Sequence, residues 1–234
     1  MPITTPWTVR ARSGKRAYTI SLLHCDGADA STTIIDEVTG NTALVTSLSQ
    51  LDTEYSKFGT AACMGTTTND GIISTFPSTY TPSGGVSDKW TLELWIHKAS
   101  LTTGFNPDVD FLISGSAASN FGCLVAATTG AITIQQTVLD SSFVALAQDL
   151  TTVIGTYTAD TWMHYAVVRS GTVTTTYLDG TSVHTLDYAT GVPGPYNAIR
   201  LRVDANSHFD EARLSHMLRY TVNFTSPTVA FTLD

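Results

Sequence analysis

Turn-forming residues recur along the whole chain and cut it into segments too short, and too regularly alternating, for helices. They stand at Asp26-Gly27, Thr39-Gly40-Asn41, Asp70-Gly71, Ser83-Gly84-Gly85, Ser170-Gly171, Asp179-Gly180 and Pro193-Gly194-Pro195. Between them the side chains follow a period of two, the signature of strands with one face buried. "WTLELWIH" (90–97) places Trp90, Leu92, Leu94 and Ile96 on one face and Thr91, Glu93, Trp95 and His97 on the other. "TWMHYAVVRSG" (161–171) reads as a strand ending in a glycine turn. "TVTTTYLDGTSVHTL" (172–186) reads as a hairpin closed at Asp179-Gly180. "AIRLRVD" (198–204) sends Ile199, Leu201 and Val203 one way and Arg200 and Arg202 the other. Only "SSFVALAQDL" has apolar residues at helical spacing, and its short length among Thr-rich strands favours strand or a single turn. With no repeat, linker or shift in composition, 234 residues of this kind predict one antiparallel two-sheet β-sandwich.

Charged residues are only 14% of the chain. Threonine takes their place, and its β-branched, neutral side chain suits a pleated surface. The formal net charge of −8 argues against nucleic acid as a partner. Arg10, Arg12, Lys15 and Arg16 stand in a first segment without acids, so the rest of the chain carries −12. This divides the sequence into a basic arm (1–20) and a sandwich domain (21–234), the arm being suited to a neighbouring copy or an acidic partner. No signal-peptide pattern or membrane-length apolar run is present, so synthesis in a cytosol without membrane insertion is expected. Cys25, Cys63 and Cys123 lack metal-type spacing and are expected to be reduced core residues.

"HFDEARL" (208–214) breaks the alternation: Phe209, Ala212 and Leu214 do not share a parity, and Asp210 and Glu211 stand at the break. A β-bulge accounts for this, with Asp210 structural and Glu211 an exposed neighbour. A catalytic pair does not fit, because adjacent strand residues point to opposite faces.

Several segments together, in order, resemble a family: "SLLHCDGAD" (21–29), "SKFGTAACM" (56–64), "WTLELWIH", "TWMHYAVVRSG", "YLDG" (177–180) and "FDEARLSHMLRYTVNFTSPTVAF" (209–231). The set is similar to the concanavalin A-like lectin/glucanase domain, also called laminin-G-like, in the form found in tailed-bacteriophage virion proteins. The resemblance implies an all-β, two-sheet antiparallel jelly roll. It implies a virion structural or accessory protein, such as a head-decoration protein or a small tail or fibre component, made in the bacterial host cytoplasm. A homo-oligomer bound to other virion proteins through the arm is expected. A free-standing carbohydrate-binding module is the alternative.

The superfamily also contains glycosidases, whose paired carboxylates lie about 5 Å apart in retaining enzymes. In its laminarinase-type members they follow a Glu-x-Asp pattern. None of Glu37, Glu54, Glu93 and Glu211 has Asp two positions later, and no nucleophile elbow is present, so an enzyme is not expected. His164 reads as a buried structural histidine. For glycan contact the candidates are Trp95, Glu93 and His97 on one strand face and Arg200 and Arg202 on another. The resemblance implies a structural calcium ion near the closing strand, held partly by an acid that Asp210 matches; Asp26, in the opening strand, is the second candidate ligand if the first and last strands pair.

Overall fold

A computed structural model describes residues 18–46, 49–67, 70–76, 88–113, 116–140, 142–188 and 196–234. The arm residues Arg10, Arg12, Lys15 and Arg16 lie outside the described residues. Numbered along the chain, the strands form two antiparallel eight-stranded sheets. The first contains β1 (Thr19–Leu23), β3 (Gln50–Asp52), β4 (Ala62–Met64), β6 (Lys89–Lys98), β12 (Met163–Ser170), β13 (Val173–Leu178), β14 (Thr181–Asp187) and β16 (Ser207–Ser215). The second contains β2 (Leu44–Thr46), β5 (Asp70–Thr75), β7 (Asp108–Ile113), β8 (Ser116–Val125), β9 (Ala131–Leu139), β10 (Ala145–Asp149), β11 (Val153–Thr156) and β15 (Ala198–Val203). No helix occurs among the described residues, and the segment with helical spacing is β10. The domain boundary drawn at residue 20 cuts through β1, whose Ile20 is fully buried in the core.

The core lies between the sheets and is built from the predicted apolar faces. Trp90, Leu92, Leu94 and Ile96 of β6 meet Phe111, Phe121, Ile199 and Leu201 of the second sheet. Trp90 packs 4.8 Å from Phe111 and 5.0 Å from Phe121, measured between ring centroids. Each large side chain buried this way contributes about 1.5–3 kcal/mol relative to exposure. Asp179 and Gly180 both have positive φ, as the two-residue turn between β13 and β14 requires.

The first sheet runs β14-β13-β12-β6-β16, and β16 has two partners on its far edge. β4 pairs with His208 and Phe209, and β1 pairs with Ala212 to Ser215. At the joint between them the register with β6 slips, so that Asp210 faces Trp95 and Arg213 faces Glu93, with Glu211 at φ 52°. This is the expected bulge. The extra residue switches parity, so Phe209, Ala212 and Leu214 all enter the core. Glu211 is not an exposed neighbour, however. It is 1% exposed, because the kink turns it under the chain that follows β1 and under the C-terminal tail.

The cysteine expectation is corrected at the same joint. Cys25 follows β1 and Cys63 lies in β4, and the shared edge brings their Cα atoms to 5.3 Å, where they form a disulfide. Cys123 is free and buried. The 38-residue separation carries no pattern a sequence could show.

Candidate functional site

The outer face of the first sheet is covered over much of its area. After β16 the chain continues without further strands and lays Leu218, Tyr220 and Phe224 on Ala166, Val168 and Tyr177. Farther on, Phe231 joins Leu22 and Trp95. A strap of residues 53–60, between β3 and β4, crosses the same face. Asp210 holds it, with Oδ2 accepting the N–H of Lys57 (2.8 Å) and Phe58 (3.1 Å) and Oδ1 the N–H of Glu211 (2.8 Å). Burial pushes the Asp210 carboxyl up to about 7, against the pull of these donors. Lys57 Nζ lies 4.0 Å from the Trp95 ring centroid, and Phe58 meets the same ring edge-on.

These covers alter the predicted glycan contacts. Trp95 is 4% exposed, His97 2% and Glu93 fully buried, so they do not form an open sugar platform. Glu93 Oε1 accepts two bonds from Arg213 (2.9 and 2.7 Å), and Oε2 accepts the Tyr220 hydroxyl (2.6 Å). His164, buried as expected, has Nε2 3.5 Å from Glu93. Burial works to raise the Glu93 carboxyl, but His164, Arg213 and Tyr220 hold it below its ordinary range. It is an ionised anchor for the tail. Arg200 and Arg202 stand on the opposite sheet, about one quarter exposed, and both pair with Asp110. The two candidate sets therefore lie on different sheets. Across the second sheet the ladder places Arg200 opposite Asp110, Asp110 opposite Asn120, Asn120 opposite Thr137 and Thr137 opposite Gln148, a polar row on one face.

Asp210 and Asp26 do not fit a calcium site as arranged. Both Asp210 oxygens face N–H donors, and Asp26 Oδ1 accepts the N–H of Thr60 at 2.5 Å. Among the described residues no group of three or more His, Cys, Asp or Glu is placed to hold a metal. Asp26 instead fastens the far end of the strap, at Gly59 (φ 64°), where a side chain would collide with its carboxylate.

Beside the strap, beyond the reach of the tail, the outer face opens into a pocket of about 420 Å³. Its floor is a cross-strand row in which Gln50 of β3 faces Met64 of β4 and Met64 faces His208 of β16; His97 of β6, next in the row, is buried outside the lining. Asp29, Asp52, Glu54, Ala99 and Asn206 complete the wall. Tyr55, half-buried, lies over the floor, its ring centroid 4.7 Å from both His97 and His208. His208 Nε2 is 2.9 Å from Asp52 Oδ2, and His97 Nε2 is 3.3 Å from Asp160. Burial lowers both imidazoles below their ordinary range despite those carboxylates, which keeps them neutral at neutral pH. An aromatic ring over carboxylates, amides and a neutral imidazole can stack against a sugar ring and accept its hydroxyl protons. Sequence reasoning named His97, the buried neighbour of the floor, but missed the lining residues Tyr55 and His208, although His208 shares a strand face with Asp210 in "HFDEARL".

Comparison with known proteins agrees with this architecture. Residues 68–229 match the family model Laminin_G_3, described as the concanavalin A-like lectin/glucanases superfamily. No curated protein matches the chain. The binding domain of botulinum neurotoxin serotype D superposes with a TM-score of 0.59 at 13% identity, over 86% of this chain and 49% of that one. The globular domain of T. cruzi calreticulin gives 0.53 at 10% identity, over 76% and 80%. Trypanosoma rangeli sialidase, in complex with 2,3-difluorosialic acid, gives 0.58 at 10% identity, over 87% and 31%. The chain thus spans about half of the toxin domain and a third of the sialidase, and at these identities the likeness is one of fold. The chain belongs to the concanavalin A-like lectin/glucanase superfamily, in its laminin-G-like branch.

Proposed function

We propose that the protein is a glycan-recognising accessory component of a bacteriophage particle, a head-decoration protein or a small tail or fibre component, that binds without turnover. The observation that carries the recognition reading is the pocket beneath Tyr55, where an aromatic face and several hydrogen-bond acceptors converge on open space. The particle reading rests on the resemblance of the ordered motifs to the virion form of the family and on the basic segment holding Arg10, Arg12, Lys15 and Arg16. That segment is suited to contacts with other virion proteins or with a second copy in a homo-oligomer.

A free-standing carbohydrate-binding module is the second reading; the Cys25–Cys63 disulfide fits both, because disulfides persist in extracellular compartments and on virion surfaces alike. A glycan array run with wild type and Tyr55→Ala tests the recognition reading. Selective binding lost in the variant supports it, and no binding by wild type rejects it. Released reducing sugar in the same wells would replace recognition with hydrolysis. Deleting residues 1–17 tests the particle reading: truncated protein that stays folded but no longer co-purifies with particles supports it, and normal incorporation rejects the role given to the arm.

A further inference from the structure

Resting on the glycan reading of the same pocket, we infer that its ligand is a sugar bearing a free amine rather than an acidic or fully N-acetylated one. The wall supplies acceptors. Asp29, Asp52 and Glu54 line it, and Asp160, 73% exposed, stands beside His97. Glu54, Asp160 and Asp52 act on Tyr55 together, each adding to the effect of burial in raising its phenol above the ordinary range.

The cations nearby offset only part of this charge. Lys98 is 3% exposed, with Nζ donating to the Ala205 carbonyl at 2.8 Å, and burial lowers its ammonium despite Asp204. Lys57 lies over Trp95, on the other part of the strap. His97 and His208 are neutral at neutral pH for the reasons given above.

A second observation comes from the floor. His208 forms part of the pocket wall and is 2% exposed, yet its Nδ1 has no hydrogen-bond partner, and neither does Nδ1 of His97 beside it. With Nε2–H turned to Asp52, the neutral His208 ring leaves Nδ1 as a bare buried acceptor, which lacks a donor. A protonated amine supplies three donors and one positive charge, and the face of Tyr55 attracts a cation. A uronic or sialic carboxylate would instead meet like charge, and an acetamide would give up the charge and two of the three donors.

The experiment compares a glucosamine tetramer, its fully N-acetylated counterpart and a uronic acid tetramer by calorimetry on the full chain, at about pH 7, where an amine of α-amino basicity is still mostly protonated and both histidines are neutral. Wild type, Glu54→Gln and Tyr55→Ala are each titrated, and an oligolysine of equal charge serves as competitor. Glu54 is exposed, so its amide variant keeps the fold. The expected result is at least tenfold tighter binding of the amine form than the acetylated form, narrowing to about threefold in Glu54→Gln, with binding lost in Tyr55→Ala. Equal binding of the acetylated form, or tighter binding of the uronate, with either lost in Tyr55→Ala, overturns the amine inference and leaves the glycan reading standing. Failure of all three sugars overturns both. Amine binding indifferent to both variants, or displaced by oligolysine as readily as by sugar, overturns the assignment to this pocket.

Discussion

The carboxylate of Asp210 accepts the backbone N–H of Lys57 at 2.8 Å, joining residues 153 positions apart and fixing the strap that carries Tyr55. Asp210→Ala leaves the N–H groups of Lys57, Phe58 and Glu211 without their acceptor. Each such loss costs about 1–3 kcal/mol where water does not reach. Because Lys57 and Phe58 are half-buried, the expected total is on the order of 3 kcal/mol. Urea unfolding measures it, and an unchanged midpoint would show that the strap is held by other contacts. Ligand affinity at the Tyr55 pocket should fall in the same variant.

Asp210 also carries a pH signature. Its carboxyl is raised to about 7 in the fold, so the native state holds the proton more tightly than the unfolded chain does. The resulting stability is fully present below the ordinary aspartate range and lost as pH rises through about 7. Asp210→Asn should remove that slope from a stability profile across this window. If calcium were held here, chelator would lower the wild-type melting temperature and the variant would be indifferent to it. The N–H donors around Asp210 lead us to expect no effect of chelator on either.

His24 gives the opposite end of the profile. Its Nδ1 lies 2.7 Å from Glu211 and its Nε2 2.8 Å from Glu37. The bond to Glu211, opposed by burial and reinforced by Glu37, raises the imidazole to about 9. A raised folded-state value means stability that is complete below about pH 6.5 and disappears as pH climbs through about 9. His24→Gln should flatten denaturation midpoints over that interval, and a parallel slope in wild type and variant would assign the effect elsewhere.

The disulfide is tested by reduction. Closing a loop of 38 residues is worth about 4 kcal/mol in the chain-entropy account. Cys63→Ser, or wild type with reductant, should lose stability of that order. Alkylation of the unfolded, unreduced wild type should label one thiol, Cys123. Labelling of all three would leave Cys25 and Cys63 as the buried thiols that the sequence suggested.

The strand faces were legible because burial on one side of a sheet imposes a period of two, and Trp90 to Ile96 and Ile199 to Leu201 obey it. The bulge was legible for the same reason, as a local failure of that period at Asp210 and Glu211. What covers an outer face leaves no such trace. Trp95 and Glu93 read as exposed because they alternate with core residues, and nothing local shows that Tyr220, Phe224 and Phe231 fold back over their sheet. Tyr55 was invisible for a related reason: it lies outside any strand, and its place above His97 and His208 depends on Asp210, far away in sequence. The cysteine pair likewise exists only because β1 and β4 share one edge of β16.

That tail gives the sharpest test of the buried charges. Glu93 accepts Arg213 and Tyr220 together. Arg219 lies 3.5 Å from Glu93 and binds Asp234 at 2.8 Å, while Glu211 accepts the N–H of Phe231 at 2.6 Å. Glu93→Gln removes the charge and strands Arg213, 7% exposed, without its counter-ion. Breaking a buried pair from one side costs about 3–5 kcal/mol. The two Arg213 bonds and the Tyr220 bond fall on the same carboxylate, so the loss should appear first as release of the tail rather than as global unfolding. Limited proteolysis should cut the variant within residues 216–234 at protease levels that leave wild type intact, and hydrogen exchange should rise at Val168 and Tyr177, beneath Tyr220 and Phe224. Uniform loss of protection through both sheets would instead make Glu93 a keystone of the whole sandwich. An intact tail would mean that the packing of Tyr220, Phe224 and Phe231 holds it without the charge.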